Sequence, residues 1–99
     1  MILTVFRSRP KPGIEAEIEP VGARMYELAS AMPGFVSYRE YQSADGENVA
    51  IVEFESAQAL AAWRNHPEHL AAQAKGRSRW FADYRIQVCD VVRDYSFKP

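Results

Sequence analysis

The sequence lacks most of the devices that announce what a small protein does. A single cysteine, Cys89, among 99 residues excludes an intrachain disulfide and suits a reducing compartment. The opening Met1-Ile2-Leu3-Thr4-Val5-Phe6 has no basic stretch and no small-residue cleavage site. No apolar run approaches the roughly 20 residues of a membrane span, so the expected setting is cytoplasmic, with no membrane partner. Charge of either sign is not in excess. Lys plus Arg number 12 against 13 Asp plus Glu, a net −1, which leaves no field to attract a phosphate backbone and argues against a nucleic-acid partner. The 5 glycines form no phosphate-cradling loop, and two histidines with one nearby glutamate give no convincing ligand set, so neither flavin nor metal is expected. There is no internal repeat and no low-complexity tract. Arg9-Pro10-Lys11-Pro12-Gly13 is the nearest thing to a linker, and it is short enough to be a loop.

What is present is the composition of one folding domain, with 47% hydrophobic and 25% charged residues; dividing 99 residues in two would leave pieces too small to bury a core easily. Residues 2 to 8 alternate and carry Ile2, Thr4, Val5 and Phe6, a first strand stopped by Pro10 and Pro12. Ile14, Ile18, Val21, Met25, Leu28 and Met32 then follow at spacings of 4, 3, 4, 3 and 4, one stripe down a helix. Pro20 within that stripe predicts a kink or an irregular first turn. After Met32-Pro33-Gly34, Phe35 to Gln42 and Val49 to Phe54 read as two strands joined through Asp45-Gly46, a pair suited to a hairpin turn. Ser56 suits the N-cap of a second helix through Leu60 and Trp63, and Pro67 suits the first turn of a further helical piece to at least Lys75, with Gly76 either capping it or passed through. Tyr84 to Tyr95 reads as a long final strand.

The order βαββαβ predicts an α+β, ferredoxin-like domain with an antiparallel sheet, in which right-handed crossovers put both helices on one face. The strands nonetheless carry apolar residues on both sides: Ile2 and Phe6 against Leu3 and Val5, Val52 and Phe54 against Val49 and Ile51, Ile86 and Val88 against Cys89 and Val91. A sheet with one solvated face alternates apolar with polar, so the second face needs a cover, and a second copy of the same sheet is the economical one.

The densest polar cluster is Asn65-His66-Pro67-Glu68-His69. With Pro67 opening a helix, His66 falls at its N-cap and His69 in its first turn, where the positive end of the helix dipole favours a neutral imidazole able to take a proton from a phenol. The plainer alternative is that His66 caps the helix and His69 is a packing or surface residue. Haem ligation by either histidine also stays open at this stage. Trp63, Trp80 and Phe81 are candidates to wall an aromatic-substrate pocket, with ordinary core as the alternative. Tyr38 and Arg39 are candidate pocket residues or, on the other reading, part of a dimer interface. Arg77 and Arg79 read as a solvated cationic turn, and Cys89 as a small hydrophobe within a strand.

Several segments together resemble the antibiotic biosynthesis monooxygenase (ABM) domain of the dimeric α/β-barrel superfamily. They are Met32-Pro33-Gly34-Phe35-Val36-Ser37-Tyr38, Val52-Glu53-Phe54-Glu55-Ser56, Ala62-Trp63-Arg64-Asn65-His66-Pro67-Glu68-His69, and Trp80-Phe81-Ala82-Asp83-Tyr84 before Val91-Val92-Arg93-Asp94-Tyr95. The resemblance implies a homodimer whose sheets face each other, a dimeric α/β barrel, with one pocket per subunit between helices and sheet. It also implies an oxygenase that attacks small aromatic, quinol or polyketide-like molecules without metal or flavin. Carried onto this chain, it matches Trp63, His66 and His69, which with the reading above make the candidate catalytic group, while Tyr38, Arg39, Trp80 and Phe81 are the candidate substrate contacts from that reading. The chain departs from the oxygenase and haem-degrading patterns in two respects: the first strand offers Thr4 and Ser8 rather than Asn, and Ala59, one helical turn before Trp63, supplies no polar partner. Two further functions therefore stand beside the monooxygenase: a non-catalytic dimer that binds a small apolar ligand or serves in stress physiology, and a haem-binding or haem-degrading relative.

Overall fold

The computed structural model describes residues 1–99. Four strands, β1 (Ile2–Pro10), β2 (Phe35–Gln42), β3 (Asn48–Phe54) and β4 (Phe81–Asp90), make one sheet in the order β2-β3-β1-β4. All three pairings are antiparallel. Three helices, α1 (Glu15–Ser30), α2 (Ala57–Arg64) and α3 (Pro67–Lys75), complete the ferredoxin-like α+β fold.

α1 runs through Pro20 without a break. The ring removes the bond to the Ala16 carbonyl, but the expected apolar stripe holds the helix down: Met25, Leu28 and Met32 pack on Ala29, Val52, Phe54, Leu60 and Trp63, which form the buried core. At the far end of α1, Gly34 adopts φ +82°, and a Cβ there would lie 2.7 Å from that of Ala59; the turn into β2 needs glycine on both counts. The β2–β3 hairpin turns at Gly46, with φ +93°. α2 begins as its sequence suggests, with the Ser56 hydroxyl accepting from the Ala59 N–H at 3.1 Å.

The last strand differs from expectation at both ends. β4 starts at Phe81 because its first residues pair with Pro10 and Arg9, and it stops at Asp90, opposite Ile2, because β1 has no further residues to pair with. Val91, whose N–H reaches the Met1 carbonyl at 3.1 Å, ends the ladder; Val92, Tyr95 and Phe97 lie beyond it, exposed. α3 also continues further than a Gly76 cap would allow. Residues Gly76–Trp80 form a π-helical turn leading directly into β4. Gly76 is buried there, and a Cβ would meet the Phe81 ring at 2.8 Å.

The registers sort the side chains. Ile2, Thr4, Phe6 and Ser8 share the helix side with Val52, Phe54, Tyr38, Tyr84, Ile86 and Val88; Leu3, Val5, Val49, Ile51 and Cys89 lie on the other side with Arg7, Arg39, Glu53, Arg85 and Gln87. Both faces are thus apolar at their centres, and no element of the chain covers the second.

Candidate active site

The helix side of the sheet is not packed along its whole length. Near Phe54 the layer is closed, while toward the hairpin end it opens into a cleft of roughly 1060 Å³ between α1, α3 and the sheet. The floor comes from Thr4, Phe6 and Ser8 of β1, Asn48 and Val52 of β3 and Tyr84 and Ile86 of β4; the helices supply Ile18, Met25, Tyr26, Trp63, Arg64, His69 and Gln73. Its lining is mainly apolar and aromatic with a few polar groups, the usual make-up of a small-molecule site.

His69 is the chemically distinctive group. Its ring stacks on Trp63 with centroids 4.0 Å apart and planes within 13°. Its Nδ1 lies 3.1 Å from the Trp63 carbonyl oxygen. A carbonyl only accepts, so Nδ1 carries the proton and the neutral ring keeps its lone pair on Nε2. Burial pushes the pKa of His69 below its ordinary value, outweighing the bond to the carbonyl, which favours the charged ring; the nearby His66 lowers it further. The site therefore holds a neutral imidazole of fixed tautomer in an apolar wall. Trp63 itself is buried in the core and presents its other edge to the cleft, so packing and site share one residue.

His66 takes the capping role that Pro67 foreshadowed. Its Nδ1 accepts from the Glu68 N–H at 3.2 Å, and the ring lies outside the cleft, tilted against Trp63 at 6.2 Å. Tyr38 lines the cleft edge-on to Tyr26 at 5.5 Å, and burial, then the charge of Glu40, pushes its phenol up to about 12, which keeps it a neutral donor. Arg39 does not join it: alternation along β2 turns it to the opposite face of the sheet. Trp80 and Phe81 both reach the cleft. Phe81 meets Phe6 edge-on at 5.5 Å, and Tyr84 closes the group at 5.7 Å from Phe6. Trp80 is almost wholly buried, and its indole N–H donates to Glu17 at 2.9 Å.

Some lining residues carry no sequence signal. Asn48 stands opposite Ser8 across the β1–β3 pair, its Oδ1 accepting from Gln42 at 3.1 Å, so an amide does enter the cleft, but from β3. Arg64 borders the cleft without an ion-pair partner, and Gln73 ties α3 back to the Arg64 carbonyl at 3.0 Å. Alternation along the first strand gave the direction of Ser8, while Asn48 lay just outside the strand read from Val49 to Phe54. No three His, Cys, Asp or Glu side chains gather into a metal-binding group, and no helix is long and apolar enough to cross a membrane.

Comparison with known proteins agrees with this geometry. Residues 1–75 match the family described as antibiotic biosynthesis monooxygenase. The chain is 39% identical over 75 residues to the uncharacterized protein YqjZ of Bacillus subtilis (strain 168), a match covering 76% of this chain and 66% of that protein, just under two thirds of its length. Among solved structures, Rv0793 from Mycobacterium tuberculosis superposes with a TM-score of 0.84 at 25% identity, covering 96% of this chain and 98% of that one. A variant of SnoaB, a cofactor-independent oxygenase from Streptomyces nogalater, has the same fold with a TM-score of 0.79 at 22% identity, covering 94% of each chain. With the family match extending from β1 through α3, across the residues that build most of the cleft, the chain belongs to the antibiotic biosynthesis monooxygenase family.

Proposed function

We propose that the protein is a cofactor-independent monooxygenase of a small aromatic, quinol or polyketide-like substrate, with His69 as its general base. The observation that carries this reading is the neutral His69 ring, stacked on Trp63 and pinned through Nδ1, in the wall of an apolar cleft. Nε2 takes a proton from an acidic carbon or phenol of the substrate. The resulting carbanion gives electrons to dioxygen and forms a carbon–oxygen bond. Where a methylene is oxidised, the hydroperoxide so formed loses water to leave a carbonyl. One oxygen atom ends in the product and the other in water, and the substrate itself supplies all the electrons.

The remaining lining has supporting roles. Aromatic faces at Trp63, Trp80 and Phe81 keep water from the carbanion and hold a flat substrate, while the Tyr38 phenol donates a hydrogen bond and Arg64 favours a phenolate. His66 acts on the helix end rather than on substrate. Oxygen uptake measured over a panel of quinols, anthrones and flavonoids tests the reading: uptake that depends on the protein and falls with His69→Ala supports it. Binding of these compounds with no oxygen uptake from any of them would replace it with a non-catalytic ligand-binding protein.

We further propose that the chain acts as one domain in a cytoplasmic homodimer joined through the sheet faces that carry Leu3, Val5, Val49 and Ile51, with Arg39 at the rim of that interface. Support comes from an apolar centre that nothing in the chain covers. Light scattering at micromolar concentration should give twice the chain mass; a stable, soluble monomer would overturn the assembly.

A further inference from the structure

We infer that Glu17 is a positioning residue that fixes the Trp80 indole as a wall of the cleft and so sets how tightly the cleft grips a flat ligand. The inference rests on reading the cleft as the substrate site. Glu17 stands in the first turn of α1, far from Trp80 in sequence, yet three hydrogen bonds converge on its carboxylate. Arg79 Nε donates to Oε1 at 2.7 Å, Arg79 Nη2 to Oε2 at 2.8 Å, and Trp80 Nε1 to Oε1 at 2.9 Å. The two donors are neighbours in the π-helical turn that connects α3 to β4. An ordinary α-helical turn would not carry both side chains toward α1 in the same way, and π turns often occur where a side chain must be aimed.

The indole is 6% exposed, and Glu17 is the one acceptor its N–H has; without it a donor would be left buried and unpaired. Exposed ion pairs add little by themselves, so the consequence of the Arg79 fork is geometric: two parallel bonds hold the carboxylate at the angle the indole needs. The residues of the helix that pack into the buried core, Met25, Leu28 and Ala29, lie in its second half, and Arg24 adds an ion pair to Glu68 at 3.0 Å. Trp80 therefore sits where the anchored layer gives way to the open one, and its carboxylate partner determines the spacing of α1 from the π turn across the cleft. The bonds from Arg79 and Trp80 hold the Glu17 carboxyl down to about 2, so the arrangement persists at any physiological pH.

The test uses protein labelled with 5-fluorotryptophan. Its 2 tryptophans give two fluorine resonances, assigned with Trp80→Phe. Alongside the spectra, the fluorescent probe 1-anilinonaphthalene-8-sulfonate is titrated as a flat apolar ligand. Glu17→Ala should shift and broaden the Trp80 resonance, leave that of Trp63 in place, and weaken probe binding about tenfold, the order of effect expected when a positioning contact is lost. Glu17→Gln, whose amide oxygen still accepts from the indole, should restore the Trp80 resonance. On a turned-over substrate, Glu17→Ala should raise KM about as much while kcat stays within about twofold. If Glu17→Ala does not fold, Glu17→Asp, one methylene short of the indole, reads the same shift. An unmoved Trp80 resonance with unchanged probe affinity would overturn the inference. So would both tryptophan resonances moving together with the melting temperature, the mark of general loosening. The spectra and the probe need no turnover, so failure to find any oxygenase substrate is distinguishable from failure of this inference.

Discussion

The two ends of the layer between helices and sheet are built from the same residue types to opposite effect. At the end toward Phe35 and Phe54, aromatic and aliphatic side chains interlock: Phe54 is fully buried, edge-on to Phe35 at 5.8 Å, with Ala29 and Leu60 against it. At the hairpin end Phe6, Phe81, Tyr84 and Ile86 are just as large but stand around a cleft, which Ile18 of the first half of α1 lines without joining the buried core. Apolar lining that is not filled by the protein's own side chains has a cost in lost burial, and the proposed substrate would sit in the cleft so left open. Trp63 joins the two regions, one part of its ring in the core and another in the cleft wall.

That contrast is broken most strongly by substitution at either pole. Phe54→Ala removes the best-buried side chain and should cost about 3–5 kcal/mol, a large share of the roughly 5–15 kcal/mol that holds a typical domain together. Urea denaturation should show a much lower midpoint. His69→Ala should do the reverse, lowering turnover by roughly 10²-fold or more while folding and assembly stay nearly intact. If His69→Ala instead collapses the melting temperature, His69 belongs with the core and the division between the two ends is wrong. In the active protein, kcat/KM should rise with pH through an inflection below 6.5, the ordinary histidine value, because burial makes the neutral ring prevail and only the neutral ring accepts a proton. An inflection above that value would assign the limb to another group.

The closed end was far more legible in the sequence than the open one, for a physical reason. Core positions repeat with the period of their element, so the stripe from Ile14 to Met32 predicted α1, and the order βαββαβ predicted a ferredoxin-like antiparallel sheet. The cleft has no period. It exists because the buried core lies under the second half of α1 and because Gly76–Trp80 winds as a π turn, and neither feature alters the spacing of hydrophobic residues. His69 was singled out because Pro67 fixes a helix start, and Trp63 because it is a large aromatic on the preceding helix; both line the cleft. Arg39 was grouped with Tyr38 because they are adjacent in sequence, but adjacency along a strand sends neighbours to opposite faces. Arg79 read as part of a solvated cationic turn, since nothing local joins it to Glu17, which lies so far away in the chain. Tyr84 to Tyr95 suggested a strand by composition, but a strand ends where its partner ends, and β1 begins at Ile2.

A smaller effect sharpens the difference between the two histidines. His66→Ala should cost about 1 kcal/mol, since its Nδ1 satisfies one of the open N–H groups at the start of α3. It should leave kcat within about twofold, because the ring lies outside the cleft. Thermal denaturation and oxygen uptake measured on the same preparation check both halves, and a loss of turnover comparable to that of His69→Ala would bring His66 into the reaction.

The smallest expected effect concerns acid. The Glu17 carboxyl is held down to about 2, from an ordinary value of 4.5, by the bonds from Arg79 and Trp80. A carboxyl whose pKa is lowered on folding favours the folded chain only while it is ionised there. Its contribution is therefore complete above pH 4.5, declines as pH falls from 4.5 toward 2, and is gone below that. Glu17 is half-exposed and its ion-pair partner Arg79 is exposed, so screening by solvent and salt keeps the contribution small. Glu17→Gln removes the titrating group while keeping an acceptor for the indole. Its stability should match that of the unaltered protein more closely at pH 3 than at pH 7, and the difference at pH 7 should shrink at high salt. A gap between the two proteins that is the same at both pH values would mean that the carboxylate charge does not hold α1 to the π turn, leaving the neutral hydrogen bond to Trp80 as the whole of the contact.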